Sequence, residues 1–348
     1  MSLFKIRNEC NRTNLILTNL YSRVSAVARL CWSVPQKRRK TRYIPRLQSL
    51  DERVVFASVS FDEGTGTVSL EEDSSGENNL ITVNGTADRL TLEDMAGLQI
   101  APGHERFFTE LSSNKVQLSE VAHLVILDTG DGNDVVGAGG TSVPTEMYLG
   151  DGDDYVISGS KVRDLIFGEM GNDLIYSSGG DDIVYGGNGD DESWASAGDD
   201  LIEGGDGDDL LRGGDAVDVI GGGSGNDMIC GDAGDDTLNG GDGHDSLTGG
   251  AGRDIMDGGL GNELFYAEVC GVLADYEIDG GGTGNDQDVL MFSSLTAASI
   301  SKHIHIHDVE YGLADAMTEL PALNYQQLLA WAGAGKTGHV QWTLHHAL

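Results

Sequence analysis

The residues best placed to do chemistry are aspartates that recur nine apart. From Gly168 to Tyr266 the chain reads as eleven nine-residue units without an insertion: GEMGNDLIY, SSGGDDIVY, GGNGDDESW, ASAGDDLIE, GGDGDDLLR, GGDAVDVIG, GGSGNDMIC, GDAGDDTLN, GGDGHDSLT, GGAGRDIMD and GGLGNELFY. The common form is Gly-Gly-x-Gly-(Asn/Asp)-Asp-x-apolar-x. Its sixth position holds Asp173, Asp182, Asp191, Asp200, Asp209, Asp218, Asp227, Asp236, Asp245 and Asp254, then Glu263. Two outlying stretches, TGDGNDVVG at 129–137 and LGDGDDYVI at 149–157, add Asp134 and Asp154. The paired glycines admit positive φ and so a tight turn with its carbonyls aimed inward. A carboxylate among such carbonyls is a hard oxygen cage, which suits calcium better than zinc or copper.

Other candidates are weaker. His303, His305 and His307 alternate, so on a strand they share one face. Three imidazoles can hold zinc or copper, and the plainer reading is the polar face of an edge strand. AGAGKT at 332–337 has Ala330 where a phosphate loop needs its first glycine, in no strand-loop-helix setting. There is neither HExxH nor G-x-S-x-G. The paired aspartates suggest a glycosidase less than metal loops, because their nine-residue recurrence has no use in a two-carboxylate active site. No enzymatic activity is expected. The net charge of −36 disfavours nucleic acid as a partner. No run of 18 apolar residues exists, so no membrane span is expected. Cys10, Cys31, Cys230 and Cys270 are too scattered to suggest a disulfide framework.

The elements that must position the aspartates are very short strands, the last three residues of each unit. Their middle residue is apolar in every unit but one: Ile175, Val184, Ile202, Leu211, Ile220, Ile229, Leu238, Leu247, Met256 and Phe265, with Ser193 the exception. A fixed period of this length marks a solenoid. A disordered acidic linker would lack the apolar position. One apolar residue per unit fills only a thin core.

The nonapeptide resembles the hemolysin-type calcium-binding, or RTX, repeat. The resemblance implies an all-β, right-handed parallel β-roll filled with calcium, two units per turn, each ion lying between one loop and the loop two units later. Units starting at 168, 186, 204, 222, 240 and 258 then line one edge, and those at 177, 195, 213, 231 and 249 the other. Eleven units give at most nine such pairs. Ala216 and Val217, at the fourth and fifth loop positions, and Glu263 mark damaged sites. Stacked strands lie roughly 4.8 Å apart, so unneutralised carboxylate columns would repel strongly. The tract carries 24 Asp and Glu against two Arg, a net of −22. Nine divalent ions would nearly balance it, which makes folding and binding of multiple Ca2+ ions one event.

The flanks divide the remainder. Residues 1–57 form a basic leader: the first 50 hold eleven Lys and Arg against Glu9 alone. Within it RLQSLDERVVFAS, at 46–58, looks like the leader motif of large exported bacterial surface proteins, with Leu47, Leu50, Asp51, Arg53 and Val55 matching or nearly matching and Gln48 departing from it. Residues 58–128 alternate apolar and polar, with turns at Gly64–Gly66, Gly76 and Asn84–Gly85, and read as a β-rich extension that caps or prolongs the roll. The roll spans 129–290, ending near a further repeat, GGTGNDQDV at 281–289. In its first part AGGTSVPTEMY and SGSKVRDLIF have lost the Asp loop, so calcium is expected there along one edge only. Residues 291–348 form a mixed cap: SLTAASI and ALNYQQLLAWA read as helical and KHIHIHDVEY as a strand. The resemblance places a type I secretion signal in this tail, hence a secreted or cell-surface location. The alternatives are the tail of a secreted enzyme or toxin, or a polysaccharide-acting solenoid. A surface polysaccharide or a protein is a conceivable partner that the sequence does not name.

Overall fold

The computed structural model describes residues 57–72, 78–95, 97–159, 161–267, 276–281, 288–292, 304–307 and 311–314. The basic leader, the exported-protein motif, Gly76, His303, the two helical expectations and the AGAGKT stretch lie outside these residues. Among the described residues every element is a strand except one short 3-10 turn, Glu105–Phe107. Among the described residues no helix is long and apolar enough to cross a membrane.

The strands form two sheets that run side by side along the chain. In the first, Leu165–Met170, Ile183–Asn188, Leu201–Asp206, Val219–Ser224, Thr237–Gly243 and Ile255–Gly261 stack in parallel order. The second interleaves Leu174–Tyr176, Glu192–Ala197, Leu210–Asp215, Met228–Ala233, Ser246–Ala251 and Leu264–Ala267. Register is set by the period. Ile183 sits opposite Leu201 and Leu201 opposite Val219, two units on each time. One turn is therefore two units, and the molecule is a β-roll.

Alternation along each strand sends the middle residue inward. Ile166, Val184, Ile202, Ile220, Leu238 and Met256 line one sheet, and Ile175, Leu211, Ile229, Leu247 and Phe265 the other, all buried. Ser193 is buried among them, and its hydroxyl makes no hydrogen bond. The flanking residues face outward and form their own columns. Tyr148, Phe167 and Tyr185 stack face to face, with ring centres 5.0 and 5.2 Å apart. Tyr155, Tyr176 and Trp194 stack edge to face on the other sheet, and the Arg212 guanidinium continues that column 5.8 Å from the Trp194 ring.

Residues 57–128 prolong both sheets. Thr67–Glu71 pairs in parallel with Leu124–Asp128, and its hairpin partner Ala57–Asp62 lies beyond it. Leu80–Thr86 pairs with Val135–Thr141 and turns back into Arg89–Asp94. This turn falls at Ala87–Asp88, not at Asn84–Gly85. Gly85 lies within the strand at φ 119°, where a Cβ would strike the Arg89 carbonyl. The core here is wide: Val59, Phe61, Leu70, Val83, Leu92, Phe107 and Leu118 are all buried. At the far end Tyr276–Asp279 and Ile304–His307 extend the first sheet, and Val289–Phe292 and Tyr311–Ala314 the second. The expected strand in KHIHIHDVEY is thus the outermost of its sheet, with His305 opposite Glu277 and His307 opposite Asp279.

Candidate metal centre

Six-residue loops join the two sheets, and on each edge they stack into a column. The sixth-position aspartates form its inner wall. On the first edge the N–H of Asp134 donates to Asp154 Oδ1, that of Asp154 to Asp173, and so on through Asp191, Asp209, Asp227 and Asp245, at 2.7–2.9 Å. On the second edge Asp164, Asp182, Asp200, Asp218, Asp236 and Asp254 are linked in the same way at 2.7–3.1 Å. The fifth-position residues make a second, exposed ladder of opposite polarity. Here the N–H of the later loop donates backwards: Asn172 to Asp153, Asp190 to Asn172, Asp208 to Asp190 and Asn226 to Asp208, at 2.8–3.0 Å.

The inner ladder uses one oxygen of each carboxylate. Its second oxygen, Oδ2, is buried and makes no hydrogen bond in Asp134, Asp154, Asp173, Asp182, Asp191, Asp200, Asp209, Asp218, Asp227, Asp236, Asp245 and Asp254. These are the twelve aspartates singled out from the sequence, and each is at most 3% exposed. A buried, unpaired charged oxygen is costly. Burial, the largest cause, pushes these carboxyls up to about 6 at Asp191, Asp200, Asp236 and Asp245. It pushes them to about 7 at Asp134, Asp173, Asp182, Asp209, Asp227 and Asp254, and to about 8 at Asp154 and Asp218. The ladder N–H bonds pull the other way.

The two glycines that open a unit do different work. The second has the positive φ read from the sequence: Gly205 sits at 124°, and a Cβ there would strike the Gly187 carbonyl. The first carries no such φ. A Cβ on Gly204 would enter the space bounded by Asp209 Oδ2 and the Gly222 carbonyl oxygen, 2.6 Å from the latter. Gly168, Gly186, Gly222 and Gly240 repeat this cradle. It holds one carboxylate oxygen and at least one carbonyl oxygen, donors of the class calcium takes. Among the described residues no three His, Cys, Asp or Glu side chains converge on one point, so the cradle's oxygens come from one carboxylate and the backbone rather than from a carboxylate cluster. Between them the cradle and its unsatisfied oxygen fit a calcium ion.

The structure adds carboxylates that were not read from the sequence. Asp164 ends a loop of seven residues, 158–164, one more than a repeat loop, which hides it from a strict nine-residue count; the Ser158 hydroxyl bonds to its Oδ2. Asp288 accepts from the Glu263 N–H at 3.0 Å, although counting from Gly281 puts Asp286 at the sixth place. Of the damaged positions, Ala216 adopts φ 90°, which glycine takes without strain. Val217 takes the N–H bond from its own backbone to Asp199 but offers no side-chain acceptor. Cys230 is disulfide-bonded, where the scattered cysteines of the sequence suggested no disulfide framework.

Residues 162–192, 194–229 and 231–262 match the family model of the RTX calcium-binding nonapeptide repeat (4 copies). No curated protein matches the chain. With the parallel roll, the stacked loops and the buried carboxylate columns, residues 162–262 are an array of RTX calcium-binding nonapeptide repeats.

Proposed function

We propose that this chain is a non-enzymatic calcium-dependent β-roll that takes up several ions along its loop columns, and that it does so outside the cell. The observation that carries the reading is the set of buried Oδ2 atoms without hydrogen bonds, most of them beside a glycine. Bound calcium supplies the positive charge that these columns need. The aspartates of the glycine-led loops are the carboxylate ligands; the carbonyls opened by the first glycines complete their coordination. Without that charge the thin core must hold a tract of net −22 together, so the loops open and the strands they join separate. An extracellular site supports weak binding sites, since modules there work at about 10⁻⁴–10⁻³ M calcium. The disulfide at Cys230 points the same way, to an oxidising compartment.

The test is far-ultraviolet circular dichroism of the full chain in chelator and then in millimolar calcium. A change from a largely coil to a β spectrum over residues 129–290 is expected. A spectrum that ignores calcium would refute the reading. Immunodetection of the chain in intact-cell, lysate and medium fractions tests the location separately; retention inside the cell would remove the extracellular part.

A further inference from the structure

The first residue of each loop is not glycine throughout. Register identifies Thr129, Leu149, Ser158 and Ser177 as first residues, since their N–H groups donate to the strand one turn on, at Tyr148, Phe167, Tyr176 and Trp194. Ala195 is the first residue of its unit. All five side chains are buried, at most 1% exposed. They start from the position where a Cβ on Gly168, Gly186 or Gly204 would collide with the loop's own Oδ2. Three bring a hydroxyl: Ser158 bonds to Asp164, while Thr129 and Ser177 lie beside Asp134 and Asp182. Leu149 and Ala195 bring apolar groups.

We infer that the first residue of each loop decides whether that loop holds calcium, and that the five loops led by Thr129, Leu149, Ser158, Ser177 and Ala195 hold none. The glycine-led loops with an aspartate remain, in each of which a Cβ on the glycine would meet the loop's own Oδ2: five on the first edge, from Gly168 to Gly240, and three on the second, at Gly213, Gly231 and Gly249. The ions are thus confined to the later part of the roll, and on the second edge they begin only at Gly213. The earlier turns rest on side chains instead. Their base is the wide core of residues 57–128, and their outer faces carry the aromatic columns that end at Tyr185 and Trp194. The division also separates the twelve aspartates: Asp134, Asp154, Asp182 and Asp200 serve the ladder, and the other eight serve ladder and ion. On this inference no calcium lies between 129 and 168, where the sequence reading expected it along one edge.

This inference rests on the calcium reading and is tested by counting ions on the full chain at saturating calcium, by native mass spectrometry or equilibrium dialysis. The parent should bind about eight ions, one per glycine-led aspartate loop. Ala195→Gly, which removes only a methyl group, should add one ion, and Ala195→Ser should add none. Gly213→Ala should lose one. A parent that binds no calcium overturns the calcium reading and this inference with it. A parent that binds calcium while Ala195→Gly adds no ion, or while Gly213→Ala keeps its full count, overturns the inference alone.

Discussion

Asp209 separates the two duties of a loop carboxylate. Its Oδ1 accepts the Asp191 N–H at 2.8 Å, and its Oδ2 faces the Gly204 cradle. Asp209→Asn retains an oxygen for the ladder and removes the charge. If each site binds calcium with a Kd of about 10⁻⁴–10⁻³ M, then at 10 mM calcium one site contributes RT ln(1 + [Ca]/Kd), about 1.4–2.7 kcal/mol. That is the expected loss in Asp209→Asn. Asp209→Ala also leaves a buried backbone N–H without its acceptor, a further cost of about 1–3 kcal/mol. Asp215, at the exposed third position of its unit, is the control; Asp215→Ala should change stability by less than about 0.5 kcal/mol. The assay is urea denaturation in 10 mM calcium, followed by Trp194 fluorescence. Equal losses for Asp209→Ala and Asp215→Ala would refute the assigned register. An unchanged Asp209→Asn would show that the second oxygen carries no ion.

Three further outcomes follow from the same geometry. The folded, ion-free roll holds its inner carboxyls at about 6 to 8, above their ordinary value of 3.8, so it retains protons that the unfolded chain releases. Its stability is full below about pH 4 and falls as pH rises toward 8; circular dichroism in chelator should show more β structure at pH 4.5 than at 7.5, and the reverse order would contradict the burial of these groups. Val217→Asn should give Asp235 the acceptor that Asn172 and Asn226 give their neighbours, raising stability in calcium by about 0.5–1.5 kcal/mol; a loss would mean the outer ladder contributes nothing at this turn. Deleting 267–348 removes the strands that cover Ile255–Gly261 and Leu264–Ala267 and should raise the calcium midpoint of folding, whereas deleting 1–50 should leave it in place; equal midpoints for the tail deletion and the full chain would end the capping role.

The roll and its inner carboxylates were legible because one period writes both. A nine-residue repeat that keeps an aspartate and an apolar residue two apart fixes sheet, register and column together. What escaped was whatever departs from the count. Asp164 lies in a loop lengthened by one residue, and Asp288 follows a longer excursion from Glu263. The separate duties of the paired glycines were hidden because composition alone cannot tell a residue that needs positive φ from one that must leave space for an oxygen. The turn after Leu80–Thr86 moved because Gly85 answers a close backbone approach rather than a reversal of the chain.

Turn length carries a last consequence. Thr145 pairs with Val125 at 20 residues, Glu146 with Leu165 at 19, and Leu165 with Ile183 at 18, after which the spacing holds to the end of the repeat tract. Up to Glu263 the extra residues all fall on the second edge, in the loops that end at Thr145 and Asp164, while the first-edge loops keep six. The molecule therefore has one margin on which its sequence is free to grow. Foreign segments grafted between Ser158 and Asp164 should be carried as outward bulges, and the same graft between Gly204 and Asp209 should split the roll in two. Lineages that lengthen such a protein would do so by whole turns in the repeat tract and by single residues only along that margin.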